Sequence, residues 1–220
     1  MEEQLEVFGD DAADASGARY AALKGLHDAA LELLPEPIQS QVRQVHDFRA
    51  TLTPESDRGC ALMAAAYLDD HLKILFDHIL VDDRKYRKRV LDMNGALGTF
   101  SARIDMAYLL GMIPKNAQSD LHRLRNIRNQ FAHVAGPITF EDPTIASLCG
   151  QLMFGVSHVG IGMRGRFTRS MMGLLWVIIM KRVRTVRYER ATDVDLTGSR
   201  VAREQVERIW ADLGWGELPK

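Results

Sequence analysis

The sequence predicts an all-α fold, an antiparallel helical bundle with additional N- and C-terminal helices, and three observations predict it. Apolar residues recur at helical spacing over long stretches, above all Leu62 to Ile79 and Leu121 to Val134. No stretch alternates with period two for long enough to demand a strand, no GxGxxG opens a helix, and no internal repeat is present. Helix starts and stops such as Gly111, Pro114, Gly136-Pro137 and Asp142-Pro143 leave only short connections, which suits a bundle.

Taken in order, the elements follow from their punctuation. Residues 1–18 are acidic and small, a loose lead-in to a helix over Arg19 to Leu34 that Pro35 and Pro37 stop. A second helix spans Ile38 to Arg49, with Val42 and Val45 on its thin apolar stripe. Thr53-Pro54-Glu55 reads as the next start: Thr53 caps, Pro54 loses nothing at the first turn, and Glu55 suits the dipole. The long helix after it buries Leu62, Ala65, Leu68, Leu72, Leu75, Phe76 and Ile79, allows close packing at Ala64 to Ala66, and pairs Asp69 with Lys73 on its surface. His71 and His78 lie on it without a third ligand in register, so no metal is expected.

The basic run Arg84 to Arg89 (RKYRKR) forms a turn or two of helix or a loop, and a solvated face is its simplest reading. Gly95 and Gly98 break the chain before a helix starting at Thr99 or Ser101, with Ile104, Tyr108 and Leu109 inward and Gly111 as its stop. A further helix runs from Pro114 to about His133. Asp142-Pro143 opens one through Leu152, and Gly155, Gly160, Gly162 and Gly165 loosen the chain after it. Arg166 to Arg190 is a major helix, apolar first and basic second. Ser199 to Leu213 closes the chain as a short helix able to dock through Val206, Ile209 and Trp210. The expected organisation is an acidic helical extension over 1–50, a core over 51–190 that includes the basic helix 166–190, and a tail over 191–220.

Composition narrows the function classes. With a net charge of -1 and 26% charged residues, the chain of 220 residues has no overall drive toward polyanions. Its charge is nevertheless polarised. Residues 1–57 hold twelve acids against four bases, and residues 164–190 hold eight bases against Glu189 alone. Such a basic segment faces nucleic acid or acidic lipid, or more commonly solvent or the acidic segment; Arg182, Arg184 and Arg187 are its candidate RNA or DNA contacts. Two cysteines, Cys60 and Cys149, make no disulfide framework, and the acidic N-terminus is unlike a signal peptide. The ten-residue apolar run Met171 to Met180 falls short of the roughly 20 needed to span a bilayer. A cytoplasmic protein without membrane contact or cofactor is expected.

The chemistry concentrates on LHRLRNIRNQFAHV, Leu121 to Val134. At about 100° per residue, Leu121, Leu124, Ile127, Phe131 and Val134 share the core side, while His122, Arg125, Asn126, Asn129 and His133 share the other with Arg128 on the flank. Asn129 and His133 are i, i+4 neighbours. An arginine, an amide and an imidazole at one spot suit a phosphodiester, because histidine moves a proton near neutral pH and arginine holds charge building on phosphorus. The plainer reading pairs Arg128 with Asp57 or Asp69, lets Asn129 cap a loop, and leaves His133 as a favourable C-terminal cation. A helix-turn-helix fits poorly: after Ala107 and Gly111, Ala117 and Asp120 stand where larger apolar residues belong, with Pro114 between.

Three ordered blocks, ESDRGCALMAAAYLDDHLKILF (Glu55 to Phe76), LGTFSARIDMAYLLGMI (Leu97 to Ile113) and IRNQFAHV with FEDP (Ile127 to Pro143), resemble the bacterial mannitol operon repressor family over about residues 51–155. The resemblance implies a self-associating helical protein, a homodimer, and a role in transcriptional regulation through a protein partner without a helix-turn-helix. More distantly, Arg128, Asn129 and His133 resemble, at its shortest spacing, the pattern of HEPN-domain helical bundles in which four to six residues, the first usually polar, separate Arg from His. That second resemblance implies a metal-independent, toxin-like ribonuclease in which two protomers bring these residues together, with His133 as proton shuttle, Arg128 on the phosphate and Asn129 orienting.

Overall fold

The computed structural model describes residues 38–154 and 162–215, together with 32, 33, 35 and 36. The helix expected over Arg19 to Leu34 lies almost wholly outside the described residues, as do Gly155 and Gly160. All regular structure among the described residues is helical: α1 (Ile38–Leu52), α2 (Asp57–Ile79), α3 (Arg84–Leu91), α4 (Phe100–Leu109), α5 (Lys115–His133), α6 (Pro143–Gly150), α7 (Met163–Arg184) and α8 (Thr197–Asp212). Residues 1–187 and 188–220 form two separate units, with α8 in the second.

α2 is the axis of the first unit and packs against α1, α3, α4, α5 and α7. Cys60, Ala61, Ala64, Leu68, Leu72, Leu75, Phe76 and Ile79 are fully buried along it. Such a helix is apolar over most of its circumference because it has neighbours on most sides. Leu62, expected inward, is 37% exposed, since it falls in the remaining gap. The start of α2 also differs from expectation. Ser56, not Thr53, is the cap: its Oγ accepts from Gly59 N at 3.0 Å, whereas the Thr53 hydroxyl turns back to the Arg49 carbonyl and residues 53–55 bend. α1 therefore continues past Arg49 to bury Leu52.

α3 begins on an Asp83 cap that accepts from Tyr86 N at 3.1 Å. Gly95 and Gly98 lie against the chain leaving that helix, where a Cβ would strike the carbonyls of Val90 and Met93, so the close turn requires glycine. Thr99 caps α4 through Ala102 N at 3.1 Å. Leu109 is 73% exposed rather than inward, because the turn at Gly111, with φ +65°, ends the helix before anything covers it.

Side-chain links fix the directions of the helices. Arg58 at the start of α2 donates to the carbonyls of Val134 and Gly136 just past α5, so these two run antiparallel. α2 and α7 run in the same direction: Arg164 meets Asp57 at their starts, and His78 Nε2 lies 2.9 Å from the Thr185 oxygen at their ends. α7 starts at Met163 rather than Arg166 and stops at Arg184 rather than Arg190. Glu141 accepts from Met163 N at 3.1 Å and supports the earlier start, and Thr185 turns its hydroxyl back to Lys181 O. Phe131, Phe140 and Phe167 meet with ring centroids 4.9 Å apart and join α5 to α7 through the loop before α6. In the second unit no residue of α8 is buried, and Val206 and Ile209 remain exposed.

Candidate functional site

α5 is held by its apolar side: Leu121, Leu124, Ile127 and Phe131 are fully buried, while Val134, past the last turn, is 38% exposed. One member of the buried side is not apolar. Asp120 has no exposed surface; it accepts from Arg123 at 2.7 Å and from the backbone N–H groups of Met153 and Phe154 at 2.7 and 2.9 Å. Three donors make a buried carboxylate tolerable and fasten the chain after α6 to α5.

The polar side divides into two parts. In the first half, Asp105 of α4 accepts from Gln118 Nε2 and pairs with His122 Nε2, each at 2.8 Å, and Lys115 donates to Gln118 Oε1 at 2.6 Å. The His122 hydrogen bond leads in holding the Asp105 carboxyl below the usual carboxylate range. His122 is thus a link between helices. In the middle, Arg125 Nη1 reaches only its neighbour Asn126, at 3.4 Å.

The second half carries the expected trio. Arg128 Nη1 donates to Asn129 Oδ1 at 3.1 Å. Asn129 also lines a groove of about 440 Å³ between α5 and α6, whose wall is made of Asn126, Gln130, Thr144, Ser147 and Leu148. His133 is the last residue of α5, exposed, and hydrogen-bonds neither Arg128 nor Asn129 among the described residues. Neither acid named as a partner for Arg128 is free to take that role. Asp57 binds Arg164 at 2.8 Å and accepts from Phe140 N at 3.0 Å, and Asp69 binds the buried Arg103 at 2.6 Å. Asp69 therefore pairs across helices instead of with Lys73. Burial pushes its carboxyl up, against the pull of Arg103 and, less strongly, of Arg128. Chemically, this half offers one guanidinium without an ion pair among the described residues, an exposed imidazole, and a neutral groove rich in amides and hydroxyls.

No family model matches the chain, and no curated protein matches it. Among solved structures, a chain in the X-ray structure of the MtlR-HPr complex from Escherichia coli is 20% identical, with a TM-score of 0.50, over 63% of this chain and 97% of that one. The fold is shared. At this identity the likeness concerns the helical architecture and assigns no residue.

The basic segment is less open than its composition suggests. Arg182 is half-buried, donates to Gln41 Oε1 of α1, and loses basicity through burial. Arg187 donates to the Leu80 carbonyl at 2.8 Å and lies 3.9 Å from Asp82. Arg184 alone of the three is exposed. Sequence reasoning did not single out Arg103, Asp105 or Arg164. Asp120 did carry a legible signal, a carboxylate on the core side of the α5 wheel one residue before Leu121. Among the described residues no cluster of three His, Cys, Asp or Glu could hold a metal, and no helix is long and apolar enough to cross a membrane.

Proposed function

We propose that this chain is a cytoplasmic regulatory protein that acts through contacts with another protein, as a homodimer and without a helix-turn-helix. The observation that carries this reading is the shared fold with a chain of the MtlR-HPr complex, nearly all of which this bundle matches. An HPr protein is accordingly the first partner to test. The resemblance of residues 51–155 to the mannitol operon repressor family points toward transcriptional regulation as the outcome of such contacts. The α5–α6 groove, where Asn126, Asn129, Thr144 and Ser147 offer neutral donors and acceptors, is a suitable surface for a protein partner. His122 and Arg125 extend the same side of α5. Titration of the full chain with purified HPr should give saturable heat that Asn129→Ala with Ser147→Ala weakens. Absence of heat, or heat unchanged in the double variant, overturns this assignment.

A second reading is favoured by one observation: Arg128 forms no ion pair among the described residues, with Asp57 bound to Arg164 and Asp69 to Arg103. It is that of a metal-independent ribonuclease, in which Arg128 holds a phosphate, Asn129 orients and His133 of α5 moves the proton. Cleavage of RNA in the presence of a chelator, abolished by His133→Ala with the helical spectrum intact, is its expected result. An inert wild-type protein removes it. The division into extension, core and tail belongs to the same set of proposals.

A further inference from the structure

Two basic segments separated by almost a hundred residues meet at the end of the bundle where α2 finishes. On α3, Arg84, Lys85, Lys88 and Arg89 are exposed and form no ion pair among the described residues. Three acids beside them, Asp77, Asp82 and Asp83, are committed, while Asp70 and Asp92 line the groove under α3. Arg87 binds Asp77 at 3.5 Å and Asp82 at 3.0 Å, and Asp83 spends its carboxylate on the cap of α3. From the other segment, His78 and Leu80 hold Thr185 and Arg187, which brings the exposed Arg184 to this same end.

An aromatic ring stands among these charges. Tyr86 is 50% exposed, and the Arg89 guanidinium lies 4.5 Å from its ring centroid. Tyr86 is the one apolar side chain exposed on α3; Val90 and Leu91 turn toward the core. A helix that lies in a lipid surface needs a broad apolar face, which α3 lacks. Free cations around a single stacking ring match the requirements of single-stranded nucleic acid, where bases stack and phosphates are neutralised. The adjoining groove between α2 and α3 is lined by Asp70, Asp77 and Asp92 together with Lys73, Arg84, Arg87 and Lys88, so Arg84 and Lys88 stand at its rim beside acids, and a polyanion is accommodated on the side of α3 that carries Lys85, Tyr86 and Arg89.

We propose that the outer face of α3, at the same end of the bundle as Arg184, binds single-stranded nucleic acid, with Tyr86 as the stacking platform, Lys85 and Arg89 on the phosphates, and Arg84 and Lys88 adding positive charge from the groove rim. This face is independent of the α5 site. Val134 is tied to the start of α2, and the 23 residues of that helix place α3 about 35 Å away.

The test is fluorescence anisotropy of a labelled oligouridylate with the full chain over a range of salt. Binding should weaken steeply as salt rises. Replacing Arg84, Lys85, Lys88 and Arg89 together by Gln should cost roughly tenfold or more and reduce the salt slope by about 1.5 or more. Tyr86→Ala should cost roughly fivefold with the salt slope unchanged, a signature of stacking. Circular dichroism checks that both variants fold, and Lys85→Gln with Lys88→Gln serves if the quadruple variant does not. The proposal is overturned if the wild-type protein fails to bind at low salt, or if the folded charge variant binds as wild type. Tighter binding to duplex DNA, or to vesicles of anionic lipid, indifferent to Tyr86→Ala, overturns it equally.

Discussion

The two ends of α2 differ in how much of their basic charge is spent. Where α2 begins, Arg58 grips the carbonyls of Val134 and Gly136; Arg164 grips Asp57 and the carbonyls of Leu52 and Glu55; and Arg166 grips those of Gly150 and Leu152. Where α2 ends, Arg87 and Arg187 also bond the carbonyls of Asp77 and Leu80, but Arg84, Lys85, Lys88 and Arg89 of α3 are exposed and form no ion pair among the described residues. Both ends are rich in base, but at the first several chain ends converge and leave carbonyls that need donors, whereas fewer such groups face the outer side of α3. The difference teaches that a basic residue is structural or available according to what helix ends surround it, since a multiply bonded guanidinium satisfies groups that water cannot reach.

The largest test of this contrast is Asp120→Ala. It removes the buried acceptor of Arg123 and of two N–H groups, and should cost about 3–5 kcal/mol in chemical denaturation; a loss below about 1 kcal/mol would show that this buried charge does not hold the chain after α6 to α5.

Next is the pH profile. His71 is buried in α2, its Nδ1 has no partner among the described residues, and burial followed by the charge of Arg182 lowers its pKa from 6.5 to about 4. Between those values the unfolded chain binds the proton and the folded chain does not, so stability falls as pH drops from 6.5 toward about 4 and the loss levels off below that. The full contribution is about 3 kcal/mol. His71→Leu should remove it from the difference between denaturation curves measured across this range. Identical wild-type and variant profiles would refute it.

Arg164→Ala should follow, costing about 2 kcal/mol in denaturation midpoint, as it leaves Asp57 and two or more carbonyls short of a donor. Smallest of all, Arg84→Ala or Lys85→Ala should change stability by less than about 0.5 kcal/mol. A large loss from either would place α3 with the structural end and erase the contrast.

Much of the bundle is legible in the residues because helix periodicity is local. Leu121, Leu124, Ile127 and Phe131 identify the inner side of α5, and Gly111, Pro114 and Asp142-Pro143 lie at or next to real boundaries. Local signals also compete, and one of two adjacent signals loses: Thr53-Pro54 is a sound start in isolation, yet extending α1 to bury Leu52 moves the start of α2 to Ser56. Leu109 and Leu62 show the same limit, for spacing says which residues share a side and not whether a neighbour covers them.

By itself, then, the sequence determined the helical class, most helix positions and the polar side of α5 that carries Arg128, Asn129 and His133. Only tertiary structure decided which charges are spent. Asp57 finds Arg164 across 107 positions of sequence and Asp69 finds Arg103 across 34, which leaves Arg128 without an ion pair among the described residues. The reason is physical: a helix face is set by neighbours three and four residues away, but the partner of a charge is set by which helix ends meet.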